Sequence, residues 1–241
     1  MRKIYDKNEL RFALLWIAIY VVAFSVSDDV SVSLGIAKSV TAPFSVLMTI
    51  IIYMWIKKNG LKEKYGLCGL KGSAKEYLYF IPLVILATTN IWWGFKLNLS
   101  VLETILYIIS MICVGFLEEI FFRGFLFKAM CKNNIKRAVL ISSMTFGLGH
   151  IVNLVNGKNI PETLMQMGYA FAVGFLFTII FYKTNSLWPC IITHSIINSL
   201  SVFANVEQDT VLRNMIGSMF LCVASLSYAI YILKRGSREH Q

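Results

Sequence analysis

The chain has 241 residues, 57% of them hydrophobic and only 15% charged, with a net charge of +10 at pH 7. A soluble domain is nearer about 45–50% apolar and about 25% charged. The composition therefore excludes an ordinary soluble fold and points to an all-α, polytopic membrane bundle forming one domain over 1–241. The basic balance does not indicate nucleic acid, because the Lys and Arg residues border apolar runs, where they set topology and meet anionic lipid. The five cysteines, Cys68, Cys113, Cys131, Cys190 and Cys222, form no C-x-x-C pair and are odd in number, so no disulfide framework or zinc ribbon is expected.

Apolar runs near the ~20 residues that cross a bilayer fall at about 10–27, 40–56, 77–95, 101–127, 138–156, 162–182, 186–205 and 210–233. They predict about eight transmembrane helices. The first is followed by Ser27-Asp28-Asp29 and not by a small-residue cleavage site, so it reads as a retained span. The fourth is longer than a bilayer requires and is expected to tilt or emerge. The fifth is the most polar, with Ser142, Ser143, Thr145, His150 and Asn153. Pro82 and Pro189 fall in opening turns, where a missing N–H costs least. Trp92, Trp93 and Trp188 read as interfacial anchors.

The connections give the orientation. Eighteen Lys and Arg residues flank the chain termini and every second loop, whereas the alternate loops hold four: Lys38, Lys96, Lys158 and Arg213. By the positive-inside rule both termini are cytoplasmic. The 57–76 loop carries Gly60, Gly66, Gly69 and Gly72 but lacks the spacing of a phosphate-binding loop, so a solvated linker is expected.

Ionisable residues at membrane depth are costly and mark function by default. The fourth run holds Glu118, Glu119 and Arg123, the fifth Phe146 and His150, and the seventh His194, Ser195 and Asn198. Glu119 and Arg123 are four apart, as are His194 and Asn198, so each pair shares a helix face. Glu118 is turned about 100° from Glu119 on a regular helix, which predicts that Arg123 holds Glu119 ionised and leaves Glu118 free. Counted from the cytoplasmic helix ends at ~1.5 Å per residue, Glu118 lies roughly 15 Å deep, His150 roughly 18 Å and His194 roughly 14 Å. His240, the third histidine, sits in the polar tail.

Such a set suits peptide hydrolysis, which needs a base for water and donors for the oxyanion. A buried carboxylate with a histidine supplies the first, and a His/Asn pair the second. Each residue also has a plainer reading: Glu119–Arg123 as a structural ion pair, His150 as a satisfied core histidine, Asn198 as interhelical glue and Phe146 as packing. A Ser195–His194 dyad is weak, because neighbours on a helix do not face one another.

Glu118-Glu119-x-x-x-Arg123, Phe146-x-x-x-His150 and His194-x-x-x-Asn198 together resemble the signature motifs of the CPBP intramembrane proteases, which include type II CAAX prenyl endopeptidases and bacterial Abi-type proteins. The resemblance covers about 100–205. It implies a membrane endopeptidase in which Glu118 activates water with help from His150, His194 and Asn198 steady the oxyanion, and Glu119 and Arg123 support them. The implied partners are the bilayer and a membrane-associated peptide, prenylated or lipid-anchored. No cofactor is favoured, although a zinc site from Glu118, His150 and His194 stays open. The location is a cell membrane, by composition a bacterial one. Alternatives are a non-catalytic scaffold, a bacteriocin self-immunity protein or a proton-coupled transporter. The active-site cavity is expected to open towards the cytoplasm, on the side of the basic loops.

Overall fold

The computed structural model describes residues 1–69, 80–155, 157, 159–205 and 210–235. Gly72, Lys71, Lys75, Lys158, Arg238, His240 and the first residues of the third predicted span (77–79) lie outside this set. In chain order the helices are α1 (Arg2–Lys7), α2 (Glu9–Ser33), α3 (Thr41–Lys58), α4 (Ile81–Ala87), α5 (Val101–Glu118), α6 (Lys128–Cys131), α7 (Ile135–Gly149), α8 (Val152–Val155), α9 (Ile160–Thr184), α10 (Trp188–Leu200) and α11 (Val211–Arg235). A π-helical segment, Glu119–Phe127, joins α5 to α6 in one continuous rod of 31 residues.

Helix starts follow local chemistry. Asn8, Asn134 and Asn159 each accept a backbone N–H through the side chain at the openings of α2, α7 and α9. Ser100 and Glu103 form a capping box at α5. Proline sits in the first turn of α4, α9 and α10. α9 ends on Asn185 in the left-handed conformation, φ 51°.

The fold is a helical membrane bundle, but the spans are unequal. Among the described residues four helices are long and apolar enough to cross a membrane: Glu9–Ser33, Val101–Cys131, Ile160–Thr184 and Val211–Arg235. The expected count of about eight transmembrane helices is not reached by these four. α10 has 13 residues, about 20 Å of rise against the ~30 Å of a hydrocarbon core. Among its described residues the third run is α-helical over Ile81–Ala87, before a tight 3-10 turn at Thr89–Ile91. There Thr88 and Thr89 turn their hydroxyls onto the carbonyls of Ile85 and Leu86, the competition with backbone bonding that favours a helix end. α7 stops at Gly149, with His150 as its C-cap.

α9 packs between α7 and α11, and α5 between α3 and α10, while α2 lies along the π segment. Small residues allow the closest crossings. A Cβ on Gly115 would run into Ser195, reaching its backbone nitrogen at 2.7 Å, so α5 and α10 touch there almost backbone to backbone. The polar side chains of α7 are absorbed by carbonyls: Ser143 by Val139, Thr145 by Ile141, and Ser142 by Phe122 of the π segment at 2.8 Å. Apolar side chains such as Val22, Val26, Ile50, Ile51 and Val84 face outward, as they do in lipid.

The two ends of the bundle differ. At one, Arg2 meets Asn59, Lys64 and Lys132 both pair with Glu9, and Lys128 reaches Asn185. This is the basic end, and it holds the N-terminus. At the far end Glu103 accepts the Ala37 N–H, Asn98 donates to the carbonyls of Val202 and Ala204, and Phe95 stacks on Phe203.

Candidate active site

The site begins where the α-helix gives way to the π segment, between Glu118 and Glu119. Wide turns of this kind are rare and recur at functional sites. Glu119 and Arg123 are fully buried, and Arg123 Nη1 donates to Glu119 Oε1 at 3.0 Å, as the four-residue spacing predicts. The guanidinium lies over the Phe146 ring, 4.2 Å from its centroid, an arrangement that supplements the single ion pair. Space for it comes from Gly174: a Cβ there would stand 2.8 Å from Arg123 Nη2 and 3.0 Å from Phe146 Cδ1.

His194, brought in on α10, links the two glutamates. Its Nδ1 lies 2.9 Å from Glu119 Oε1, and its Nε2 lies 3.5 Å from Glu118 Oε2. A carboxylate can only accept, so Nδ1 carries the hydrogen and Nε2 is turned to Glu118. If both Nε2 and Glu118 lacked a proton, two lone pairs would oppose one another. The geometry therefore suits one proton shared between them.

Glu118 is not free, contrary to the sequence-based expectation. The Tyr20 hydroxyl of α2 donates to its Oε1 at 2.7 Å. No spacing rule marks Tyr20, because its partner arrives on another helix. Phe146 is more than packing: its ring meets those of His150 and His194 edge-on, at 5.4 and 5.6 Å between centroids, besides Arg123. His150 Nδ1 lies 3.0 Å from the Phe146 carbonyl, which can only accept, so Nδ1 carries a hydrogen and Nε2 is the nitrogen that is basic whenever the ring is neutral. The Ser195 hydroxyl donates to the Ile112 carbonyl at 3.3 Å, and Ser195 is not part of the cavity lining.

Glu118, His150, His194 and Asn198 all line one cavity of about 550 Å³. The cavity runs away from the basic end. Beyond the motif residues it is lined by Tyr107, Asp28, Lys38, Trp93, Ala204 and Arg213, which belong to the far-end connections and the helix turns beside them. This overturns the expected opening on the side of the basic loops. The physical reason is helix length: α4, α7 and α10 all stop short at the far end and leave space between α2, α5, α9 and α11. Trp93 sits at this mouth, with the Arg213 guanidinium 5.3 Å from its ring centroid. Asn153 and Gln166, joined by a 2.8 Å hydrogen bond, form another part of the wall.

A catalytic zinc takes three protein ligands. Among the described residues no three His, Cys, Asp or Glu side chains are gathered so as to hold a metal ion. Glu118, His150 and His194 share the cavity but are not gathered into such a group. The donor set does not fit zinc in this arrangement.

The sequence model described as type II CAAX prenyl endopeptidase Rce1-like matches residues 100–200. That stretch contains all three motifs. In that stretch the chain is similar to the CPBP, or CAAX protease, family. Among curated proteins it is 28% identical to the "Putative membrane peptidase YdiL" of Bacillus subtilis (strain 168), across 68% of this chain and 70% of that protein. No solved structure matches the chain. The matched segment supplies the glutamates, His150, His194 and Asn198, while Tyr20 and the α2 wall of the cavity come from outside it.

Proposed function

We propose that this protein is an intramembrane endopeptidase that hydrolyses a peptide bond of a membrane-associated peptide, prenylated or otherwise lipid-anchored. The observation that carries the reading is His194 held between Glu118 and Glu119 at the floor of a cavity in a helical membrane bundle. A carboxylate and a neutral imidazole facing one space can remove a proton from water. In this reading Glu118 takes that proton while the oxygen attacks the scissile carbonyl, and His150 Nε2 assists.

The tetrahedral oxyanion then accepts hydrogen bonds from the Asn198 amide and from His194 in its protonated form. Donors placed in advance are worth more here than in water, because they need no reorganisation as charge develops. Collapse of the intermediate breaks the C–N bond, and the proton held by Glu118 passes to the leaving amine. Arg123 touches no reacting atom. It fixes Glu119, which fixes the His194 ring. The site residues act from one continuous transmembrane domain, with the protease core at about 100–205.

The test is incubation of the purified protein with a library of prenylated and unmodified peptides, read by mass spectrometry. Cleavage by the wild-type chain and none by Glu118→Gln supports the reading. Equal cleavage by both, or by neither, counts against it.

A further inference from the structure

The Glu118 site has a closed side and an open side, and the closed side is the basic one. Between the buried Glu119–Arg123 pair and the basic end lies a floor of packed aromatic rings. Phe12 stacks on Trp55 at 4.9 Å between centroids, and Phe125 meets Phe12, Tyr65 and Phe121 at 5.1, 5.1 and 5.8 Å. All five are buried. Tyr65 is held in turn by Tyr5 of α1, whose hydroxyl also bonds Lys64. Interiors this tightly interlocked admit no chain and no column of water.

The opposite side is built otherwise. The cavity passes from Glu118 along Val114, Met111 and Tyr107, successive turns of α5 towards its N-terminus. It ends among polar groups: Lys38 clasps both Asp28 oxygens at 2.8 Å, and Tyr107 bonds Ser201. A peptide backbone needs such partners once it leaves water.

The loop charges orient these two ends. Among the described residues the basic end carries Arg2, Lys3, Lys57, Lys58, Lys62 and Lys64, further cations after α5, and Lys234 and Arg235 in the last turn of α11, while Lys38, Lys96 and Arg213 lie at the far end. This asymmetry places the aromatic floor on the cytoplasmic side.

We propose that the cavity takes its substrate from the non-cytoplasmic side of the membrane, as a polypeptide segment that has already crossed or lies in the outer leaflet. The proposal rests on the protease reading for the word substrate, but the access route itself can be measured without hydrolysis. An enzyme arranged in this way acts on an exported or membrane-inserted chain. A lipidated tail still anchored in the inner leaflet would meet the closed floor.

The experiment uses the full chain in intact cells, with the five native cysteines replaced by serine or alanine and single cysteines returned. Ser25→Cys and Ser218→Cys report two separate cavity walls, α2 and α11. Lys64→Cys and Lys96→Cys report the two ends. A membrane-impermeant maleimide should label the Ser25, Ser218 and Lys96 variants in intact cells, and the Lys64 variant only after permeabilisation. Each variant is first checked for wild-type thermal unfolding in detergent, and two walls are used so that loss of one leaves the other. Labelling of both wall variants only after permeabilisation overturns the proposal, as does labelling of the Lys64 variant in intact cells.

Vesicles of known sidedness separate this from the protease reading. Right-side-out vesicles should cleave added peptide, with inside-out vesicles at least 10-fold slower. The reverse ratio overturns the access route. Cleavage by neither, with the labelling pattern intact, overturns hydrolysis and upholds the route.

Discussion

Tyr20 and Glu118 are 98 positions apart in the chain and meet in a 2.7 Å hydrogen bond. Tyr20 is buried among Phe24 and Phe121, with centroids at 5.1 and 5.5 Å, so the hydroxyl has one fixed aim. A carboxylate held in this way by one oxygen keeps its other oxygen towards His194.

Removing that hydroxyl should therefore slow the reaction without unfolding the protein. A hydrogen bond to a charged group contributes about 1.5–3 kcal/mol, which corresponds to about 10–100-fold in rate if it is lost from the transition state. Tyr20→Phe should lower kcat by that order with KM little changed. Peptide kinetics at saturating substrate checks it. A wild-type kcat would show that Tyr20 only packs.

The two glutamates should fail differently. Glu118→Gln keeps the shape and removes the base, so hydrolysis should vanish while the unfolding midpoint stays near wild type. Glu119→Gln leaves Arg123 buried without its counter-charge, and breaking such a pair costs about 3–5 kcal/mol. Thermal unfolding in detergent beside an activity assay separates them. A stable Glu119 variant and an active Glu118 variant would reverse the roles.

Gly174 and Gly168 lie on the same helix and predict opposite results. Gly174→Ala forces a methyl into contact with Arg123 and Phe146, and overpacking of this kind costs about 1–3 kcal/mol. Nothing stands within 4 Å of a Cβ on Gly168, and Gly→Ala in a helix gains about 0.5–1 kcal/mol. The unfolding midpoint should fall for the first and hold or rise for the second.

Hydrolysis should survive dialysis against a strong chelator. The described residues bring together no three ligands for zinc, so added metal should not raise the rate either. Near-stoichiometric zinc by elemental analysis, lost and regained together with activity, would be the contrary result.

What could be read from the sequence was whatever depends on one helix at a time. The Glu119–Arg123 pair follows from four-residue spacing, and the starts of α4 and α10 follow from Pro82 and Pro189. Contacts between distant helices are out of the sequence's reach, which is why no spacing marks Tyr20 and Glu118 reads as free. The π segment was hidden as well, because Ile120-Phe121-Phe122 reads as apolar whatever the pitch. The direction of the cavity depends on where α7 and α10 stop, and apolar runs of 138–156 and 186–205 continue past both stops.

The α2 wall has a consequence for how such a protein diversifies. Val21, Phe24 and Ser25 face the cavity from a helix that makes no part of the three motifs, while the residues proposed to act on the substrate lie between 118 and 198, with Tyr20 of that helix as the support of Glu118. The wall of the cavity and the proposed reacting groups thus come from separate stretches of the gene, joined through Tyr20. Under the proposed reading, substitutions at Val21, Phe24 and Ser25 can reshape what is admitted while Glu118, His150, His194 and Asn198 are inherited unchanged.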